Sequence, residues 1–513
     1  MSKQNPKVLL VYPPNQLMSV EIPRPDGSLG PLYLAGALRQ AGIEVELLDA
    51  SVGTDDDSMS ETFFRRQLQP NGLTRIGMTQ EKIKEHFSKG GYDIIAIHNN
   101  FTPQTRMALE VARLAREVNP KILIIAGGVN ARVLAPRLLK TNLIDIIGIS
   151  EGEKTIVDII HAWQNNTPLS DLGAITYQDN GKTIIKPVTK ETICQNLDDL
   201  PFPAWDLLPF DKYDELNSPH GSIKPGAVRR YASIMTSRGC PFQCLYCHNS
   251  EEKQVESLTG ATGMLRFKSI ERVMKEVKII QSLGVTHLYI EDDSFLANKN
   301  RATEILTRLA DKNLKISNVN GVNLLNLVKS GHNGKFEPDK EFLKIIKNSG
   351  FDEIVFPVES GSQRILDKYA SGKLQLDKVD VVRLVNTAAE LGIVCPINIM
   401  IGFPDETEEE IFKSIELAKK LIPAGAPYIT FFLPIPFPGS KLFNYAVQNG
   451  CLSPDFDPDM MNWKNACMKN TAVPPERLVE LRDWAWKTVN TDEYKRGRLG
   501  REIGSPRLAQ TTE

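Results

Sequence analysis

The sequence predicts an α/β protein: a doubly wound, Rossmann-like domain, then a partial or full barrel of β-then-α units, then a small helical C-terminal region. Three observations predict it. Short apolar runs with strand character alternate with amphipathic helical stretches. They do so in two series, residues 7–160 and 231–450, separated by a proline-rich stretch with turn signals. The chain has 513 residues, 41% hydrophobic and 24% charged, enough for two or three domains with full cores. The boundaries read as 1–170 for the first domain, 171–225 for a connector with a hairpin, 226–455 for the barrel and 456–513 for the helical end.

In the first series, Lys7–Pro14 is a buried strand stopped by proline, and Pro31–Gly42 a helix with Leu34, Ala35, Leu38 and Ala41 near helical spacing. Glu44–Ala50 and Tyr92–Asn100 are strands. Pro103–Val118 is a helix with Met107, Val111, Leu114 and Val118 on one face. Lys121–Gly128 is a strand ending in paired glycines, and Leu143–Glu153 a strand leading into another helix. Apolar strands separated by helices imply a parallel sheet covered on both faces, with ligands beyond the carboxyl ends of its strands. The segments there are Pro13–Gly30, Asn99–Thr102, Gly127–Asn130 and Ser150–Glu153.

The connector holds a hairpin, Ala174–Pro187, around Asn180–Gly181, a pair that favours the tight turn matching strand twist. Prolines in Leu197–Pro209 prevent regular structure, and a boundary is expected near residue 220. In the second series, strands are expected at Ala232–Ser237, Thr286–Asp293, Glu353–Ser360, Cys395–Gly402 and Tyr428–Ile435. Helices are expected at Ser269–Leu283, Arg301–Leu314, Pro338–Ser349 and Thr407–Leu421. The last sixty or so residues read as polar and helical, with Trp463, Trp484 and Trp486, and as disordered from about Arg498.

Composition excludes several classes. Lys plus Arg is 61 and Asp plus Glu 63, so the net charge of −2 gives no general attraction to nucleic acid or an anionic membrane. No apolar run approaches ~18–20 residues, so no spanning helix is expected. Seven cysteines without framework spacing suit a reducing, cytoplasmic setting.

Three of those cysteines, Cys240, Cys244 and Cys247, lie in SRGCPFQCLYCHNS at the end of a predicted strand. A disulfide would use two and strand the third. Structural zinc prefers four closed ligands, and His248 beside Cys247 is awkwardly placed as the fourth. Three thiolates on a loop suit an iron–sulfur cluster with one iron left open; a zinc knuckle is the competing reading. Cys194, Cys395, Cys451 and Cys467 are isolated, and inert packing is expected of each.

Four more segments, EDDSF (Glu291–Phe295), VESGSQRIL (Val358–Leu366), NIMIGFPDET (Asn398–Thr407) and PIPFPGSKLF (Pro434–Phe443), follow in order. Together with the cysteine motif they resemble the radical SAM superfamily. GPLYLAGALRQAGIEVELLD, the Gly127–Gly128 pair, Glu151–Glu153 and LPFPAWDLLP resemble its cobalamin-binding branch, which includes methylases and anaerobic porphyrin-ring cyclases. The resemblance covers roughly residues 7–450.

It implies that Cys240, Cys244 and Cys247 hold a [4Fe-4S] cluster whose open iron binds S-adenosylmethionine. Reductive cleavage would then give a 5′-deoxyadenosyl radical. Tyr246, Asp292, Glu359, Ser360 and Asn398 would face that cofactor. Glu359, expected at a strand end, needs a polar ligand or an ion pair with Arg364. Asn398 and Met400 alternate with period two and are both candidates for the barrel interior. Cobalamin would rest on Pro14, Asn99, Thr102, Gly127, Gly128 and Glu151. The D-x-H-x-x-G pattern that supplies a cobalt-binding histidine elsewhere is absent. His86 and His98 lack its flanking residues, and Asn130 stands where relatives often have histidine. The implied reaction is methylation of an unactivated carbon in a small molecule, with oxidative cyclisation or rearrangement as the alternative. An external electron donor such as flavodoxin or ferredoxin is implied. A non-catalytic cobalamin or metal sensor is the reading of another class, and it leaves the open-site cysteine triplet unexplained. tRNA methylthiotransfer needs further cluster cysteines, and none precedes Cys194.

Overall fold

The computed structural model describes residues 5–496 except 19–20, 22–24, 26, 217–229, 254–259, 261, 319 and 464. The boundary expected near 220 and the disorder expected from about Arg498 lie outside the described residues. The chain forms two compact units, one of Met1–Arg230 with Glu252–Thr262 and Arg501–Glu513, the other of Tyr231–Glu251 with Gly263–Gly500.

The first unit is built on β1 (Lys7–Tyr12), β3 (Glu44–Asp49), β6 (Ile94–His98), β7 (Leu123–Gly127) and β8 (Ile146–Gly148), all parallel in the order β8-β7-β6-β1-β3. β1 sends the chain first to β3 on one side and later to β6 on the other. The topological switch point therefore lies between β1 and β6, where open α/β sheets bind ligands. The strands are apolar because both faces are covered. Val8, Leu10, Ile94, Ala96, Ile125 and Ile146 pack against Ala35 and Leu38 of helix Leu29–Gln40 and Ile156, Ile159 and Ile160 of helix Gly152–Asn165.

The hairpin β9 (Ile175–Asp179) and β10 (Lys182–Lys186) extends this sheet, because β9 pairs antiparallel with β8. A second sheet of β2 (Asn15–Leu17), β4 (Gln67–Leu68) and β5 (Thr74–Ile76) was not expected. Its strands of two or three residues carry no readable periodicity. β2 starts three residues after β1 ends, and Gln16 exchanges hydrogen bonds with Gln104 and donates to the Pro103 carbonyl just past β6. This sheet thus sits by the switch point.

The second unit carries six parallel positions in an open arc. β11 (Tyr231–Ile234), β14 (His287–Ile290), β15 (Lys315–Asn318) and β18 (Phe351–Ile354) form one sheet, and β19 (Phe356–Glu359), β20 (Ile397–Met400) and β21 (Ile429–Phe432) the next. β18 and β19 are one strand broken at Val355, so the expected strand at Glu353–Ser360 serves both sheets. β15 was not expected; lysine, serine and asparagine in a four-residue strand hide it. Along β20 and β21, Ile397, Ile399, Ile429 and Phe431 are buried against the outer helices. Asn398, Met400, Thr430 and Phe432 are left half-buried on the barrel-interior face.

The unit also buries charge. Lys268, 2% exposed, lies just after β13 (Arg266–Phe267) and donates to both oxygens of Glu276 at 2.7 and 2.6 Å, while Arg272 donates to the same carboxylate at 2.8 Å. Removing one partner of a buried pair costs about 3–5 kcal/mol, because the remaining charge is stranded. Glu276→Ala should therefore lower unfolding free energy by about that amount in urea titration; a loss under about 1 kcal/mol would contradict the network's role.

Candidate active site

The three cysteines lie between β12 (Ser237–Arg238) and the short helix Asn249–Glu252, and no disulfide joins any of the seven cysteines. The loop is pinned at both ends. At its start, β12 pairs with β13, and Gly239, at φ +81°, brings its backbone against Gly263 and Met264, where a β-carbon would lie 2.4 Å from the Met264 carbonyl. The Cys240 amide then donates to the Gly263 carbonyl. Beyond Cys244, the Leu245 amide donates to the Tyr369 carbonyl, and the Leu245 carbonyl accepts from Leu442. Leu245 and Tyr246 rest on a core of Ile365, Tyr369, Phe403, Leu442, Met461 and Met468, so the region after residue 450 helps wall the loop.

Asp292 anchors the loop from beneath. It is fully buried, and its carboxylate accepts from the Thr236 amide at 2.6 Å, the Thr236 hydroxyl at 2.7 Å and the Ser237 hydroxyl. Burial pushes its carboxyl up, while those donors pull it down. Arg301 clamps the same turn, donating to the carbonyls of Thr236 and Lys268. Asp292, expected at S-adenosylmethionine, here has both oxygens engaged by the residues that lead into the cysteine loop. Ser360 is likewise turned inward, its hydroxyl 3.2 Å from that of Ser414 and accepting from the Ser362 amide. Asn398 is half-buried on the interior face.

Glu359 is different. It ends β19 at φ +67°, a left-handed conformation that costs a non-glycine residue about 1–3 kcal/mol and clusters at functional sites. Its Oε1 accepts from the Tyr246 hydroxyl at 2.8 Å and from Lys373 Nζ at 2.6 Å. The Arg364 partner expected from the sequence is engaged elsewhere, by Glu410 and Asp405. Lys373 was missed because its approach depends on a turn, Ser371 and Gly372 both at φ +59°, that brings it back beside the cysteine loop.

Burial raises the Cys244 thiol and pushes Cys247 up to about 12; Lys373 counteracts this at Cys244. Cys240 and Cys244 both oppose ionisation of Cys247, so the three sulfurs sense one another. Three neighbouring thiols, Cys244 buried and the other two partly so, fit a multi-iron cation that would hold them as thiolates. Among the described residues, no three His, Cys, Asp or Glu side chains form a group that could hold a metal ion.

In the first unit, Gly127 and Gly148 follow the paired Ala126 and Ile147 and stand side by side at the ends of β7 and β8. A β-carbon at either would meet nothing within 4 Å. They share a face with His98, which pairs with Gly127. This strand-end groove has a glycine floor. Gly128, at φ +113°, is glycine for a different reason, since its missing β-carbon admits the backbone of Asn99 and Asn100. Asn99 accepts from Asn130 at 2.7 Å, and both are buried; Asn99 Nδ2 and Asn130 Oδ1 have no hydrogen-bond partner among the described residues. Thr102 is buried, its carbonyl accepting from Thr105. Glu151 stands at the N-cap position of helix Gly152–Asn165 without a side-chain capping bond, and Pro14 is buried next to Gly77. His98 places Nε2 3.0 Å from the Ser28 hydroxyl, with its ring edge-on to Tyr12, as a rim histidine would. Gly148 and Ser28 were not singled out in the sequence; Gly148 acquires meaning only beside Gly127.

Comparison with known proteins agrees with the fold. Residues 234–418 match the radical SAM superfamily, and residues 27–160 match the B12 binding domain. An uncharacterized methyltransferase of Pyrococcus horikoshii is 30% identical over 478 residues, covering 91% of this chain and 87% of that protein. The chain belongs to the cobalamin-binding branch of the radical SAM superfamily. Cytidylyl-2-hydroxyethylphosphonate methyltransferase of Streptomyces wedmorensis is 26% identical over 93% of this radical SAM chain and 88% of its own length. The solved radical SAM methyltransferase TsrM of Kitasatospora setae shares the fold, with a TM-score of 0.63 at 16% identity over 87% of this chain and 78% of its own. No described helix is long and apolar enough to cross a membrane.

One buried acid of this radical SAM fold gives a pH prediction. Glu406, in the loop after β20, accepts from the amides of Gly402 at 2.6 Å and Phe403 at 3.1 Å through Oε2, while Oε1 has no partner among the described residues. Burial pushes its carboxyl up to about 8. The folded state then holds a proton that the unfolded state loses above its ordinary value of 4.5. Its stabilising contribution is complete below that value and is lost as pH rises through about 8. Glu406→Gln should gain stability relative to the parent between about pH 5 and pH 8.5 in urea titrations; a constant difference would contradict the buried acid.

Proposed function

We propose that this chain is a cobalamin-dependent radical SAM enzyme that methylates an unactivated carbon of a small molecule, with electrons supplied by a flavodoxin- or ferredoxin-like donor. The observation that carries the reading is the joint presence of the pinned cysteine triplet, with Glu359 beside it, and the glycine-floored strand-end groove. When bound, the cluster and cobalamin supply the electron that cleaves S-adenosylmethionine and a transferable methyl group, respectively.

Cys240, Cys244 and Cys247 would ligate three irons and leave the fourth to S-adenosylmethionine. The Glu359 carboxylate, with free lone pairs beside the Tyr246 hydroxyl, would accept from the amino or ribose hydroxyl groups of that cofactor. Asn398, Met400, Thr430 and Phe432 line the barrel interior, and Phe432 meets Trp463 edge-on at 5.9 Å. Met400, Phe432 and Trp463 would exclude water from a reactive carbon radical. In the first unit, Gly127 and Gly148 leave room for a bulky nucleotide tail, and the unpartnered amide atoms of Asn99 and Asn130 could bond its polar groups.

Anaerobic reconstitution with iron and sulfide should give absorption near about 400 nm. Incubation with S-adenosylmethionine and a reductant should then release 5′-deoxyadenosine. Cys244→Ala should lose both signals. S-adenosylhomocysteine formed alongside supports methylation; 5′-deoxyadenosine alone points to cyclisation or rearrangement. Gly148→Leu should lower retained cobalamin, read by its visible spectrum after gel filtration, about tenfold while the cluster absorption remains. Full retention would remove the groove from the account.

A further inference from the structure

We propose that Lys373 is the fixed counter-charge of the three-cysteine site: its ammonium, seated between Glu359 and the ring of Tyr246, sets the potential at which a cluster held there accepts an electron. This rests on the cluster reading above.

The turn that delivers Lys373 is tied to the cysteine loop on either side of Cys244. Gln243 donates its amide to the Ser371 hydroxyl at 3.3 Å, and Leu245 donates its amide to the Tyr369 carbonyl at 2.8 Å. The chain then passes through two consecutive left-handed residues, Ser371 and Gly372, and returns Lys373 toward the sulfurs. Its side chain is 13% exposed; Nζ lies 2.6 Å from Glu359 Oε1 and 6.0 Å from the centre of the Tyr246 ring. A lysine this enclosed is normally costly. Here burial disfavours the ammonium, but the Glu359 carboxylate at 2.6 Å holds it protonated, above its ordinary value.

Charge sets the consequence. Reducing a thiolate-bound cluster adds negative charge to a site already crowded with it, and a nearby cation favours the reduced form. Lys373 therefore offsets part of the cost of the added electron. A lysine that merely held Glu359 in place would leave the potential unmoved.

The test is a redox titration of the reconstituted full chain, free of S-adenosylmethionine, with mediator dyes and the electron paramagnetic resonance signal of the reduced cluster as readout. Lys373→Met should lower the reduced-to-oxidised ratio at a fixed potential about tenfold, equivalent to about 59 mV for one electron. Lys373→Arg, which keeps the charge, should stay close to the parent. Glu359→Gln, which unmasks the ammonium, should move the ratio the other way. Opposite shifts for the methionine and glutamine variants support the proposal. A methionine variant with the parental potential, or a glutamine variant that moves in the same direction as methionine or not at all, overturns it. If Lys373→Met assembles no cluster, the glutamine shift decides alone. Failure of the parent chain to assemble a cluster overturns the underlying reading, and this proposal with it.

Discussion

Gathering three cysteines in one partly buried loop is the constraint on which the second unit depends. Each sulfur, once ionised, repels the others, and burial disfavours the charge on Cys244 and Cys247. A loop left to itself would spread. The chain prevents this with local restraints that do not involve the sulfurs directly. Asp292 and Arg301 fix the turn before Cys240, the Gly239–Gly263 contact fixes its first residue, and the segment at residues 369–373 grips Cys244 from the other side. The Lys268–Glu276–Arg272 network is continuous with this support through the Lys268 backbone, whose amide donates to Thr236 and whose carbonyl accepts from Arg301. Buried charge remote from the chemistry thus stiffens the frame that holds it.

The first unit solves a different problem with the opposite means. A bulky cofactor needs an opening in a close-packed α/β layer, and side chains at the strand ends would fill it. Gly127 and Gly148 leave that space open, while the neighbouring Gly128 is consumed by the chain's own backbone. Adjacent glycines therefore do unlike work. The opening lies at the ends of β7 and β8, on the β6 side of the switch point between β1 and β6.

What was legible in the sequence was local. The C-x3-C-x2-C spacing is read from eight residues, and the parallel strands announce themselves as apolar runs. Glu359 could be placed at a strand end with a cation needed nearby. Its actual partner could not be read, because Arg364 is nearer in sequence and only the left-handed turn at Ser371–Gly372 brings Lys373 to it. Asp292 looked like a site carboxylate; whether a strand-end acid faces a ligand or its own chain depends on donors 55 and 56 residues away. β15 and the β2–β5–β4 sheet escaped notice because strands of two to four residues lack measurable alternation. Gly148 gained significance only through its register with β7.

The central claim is that the cysteine triplet leaves one iron of a cluster open to a sulfonium substrate. Mössbauer spectroscopy of the chain reconstituted with 57Fe, recorded with and without S-adenosylmethionine, tests it most directly. The expected result is a four-iron cluster in which the substrate alters the environment of one iron and leaves the others nearly unchanged. A sample that takes up only mononuclear metal, or a cluster whose four irons are indifferent to S-adenosylmethionine, would contradict it.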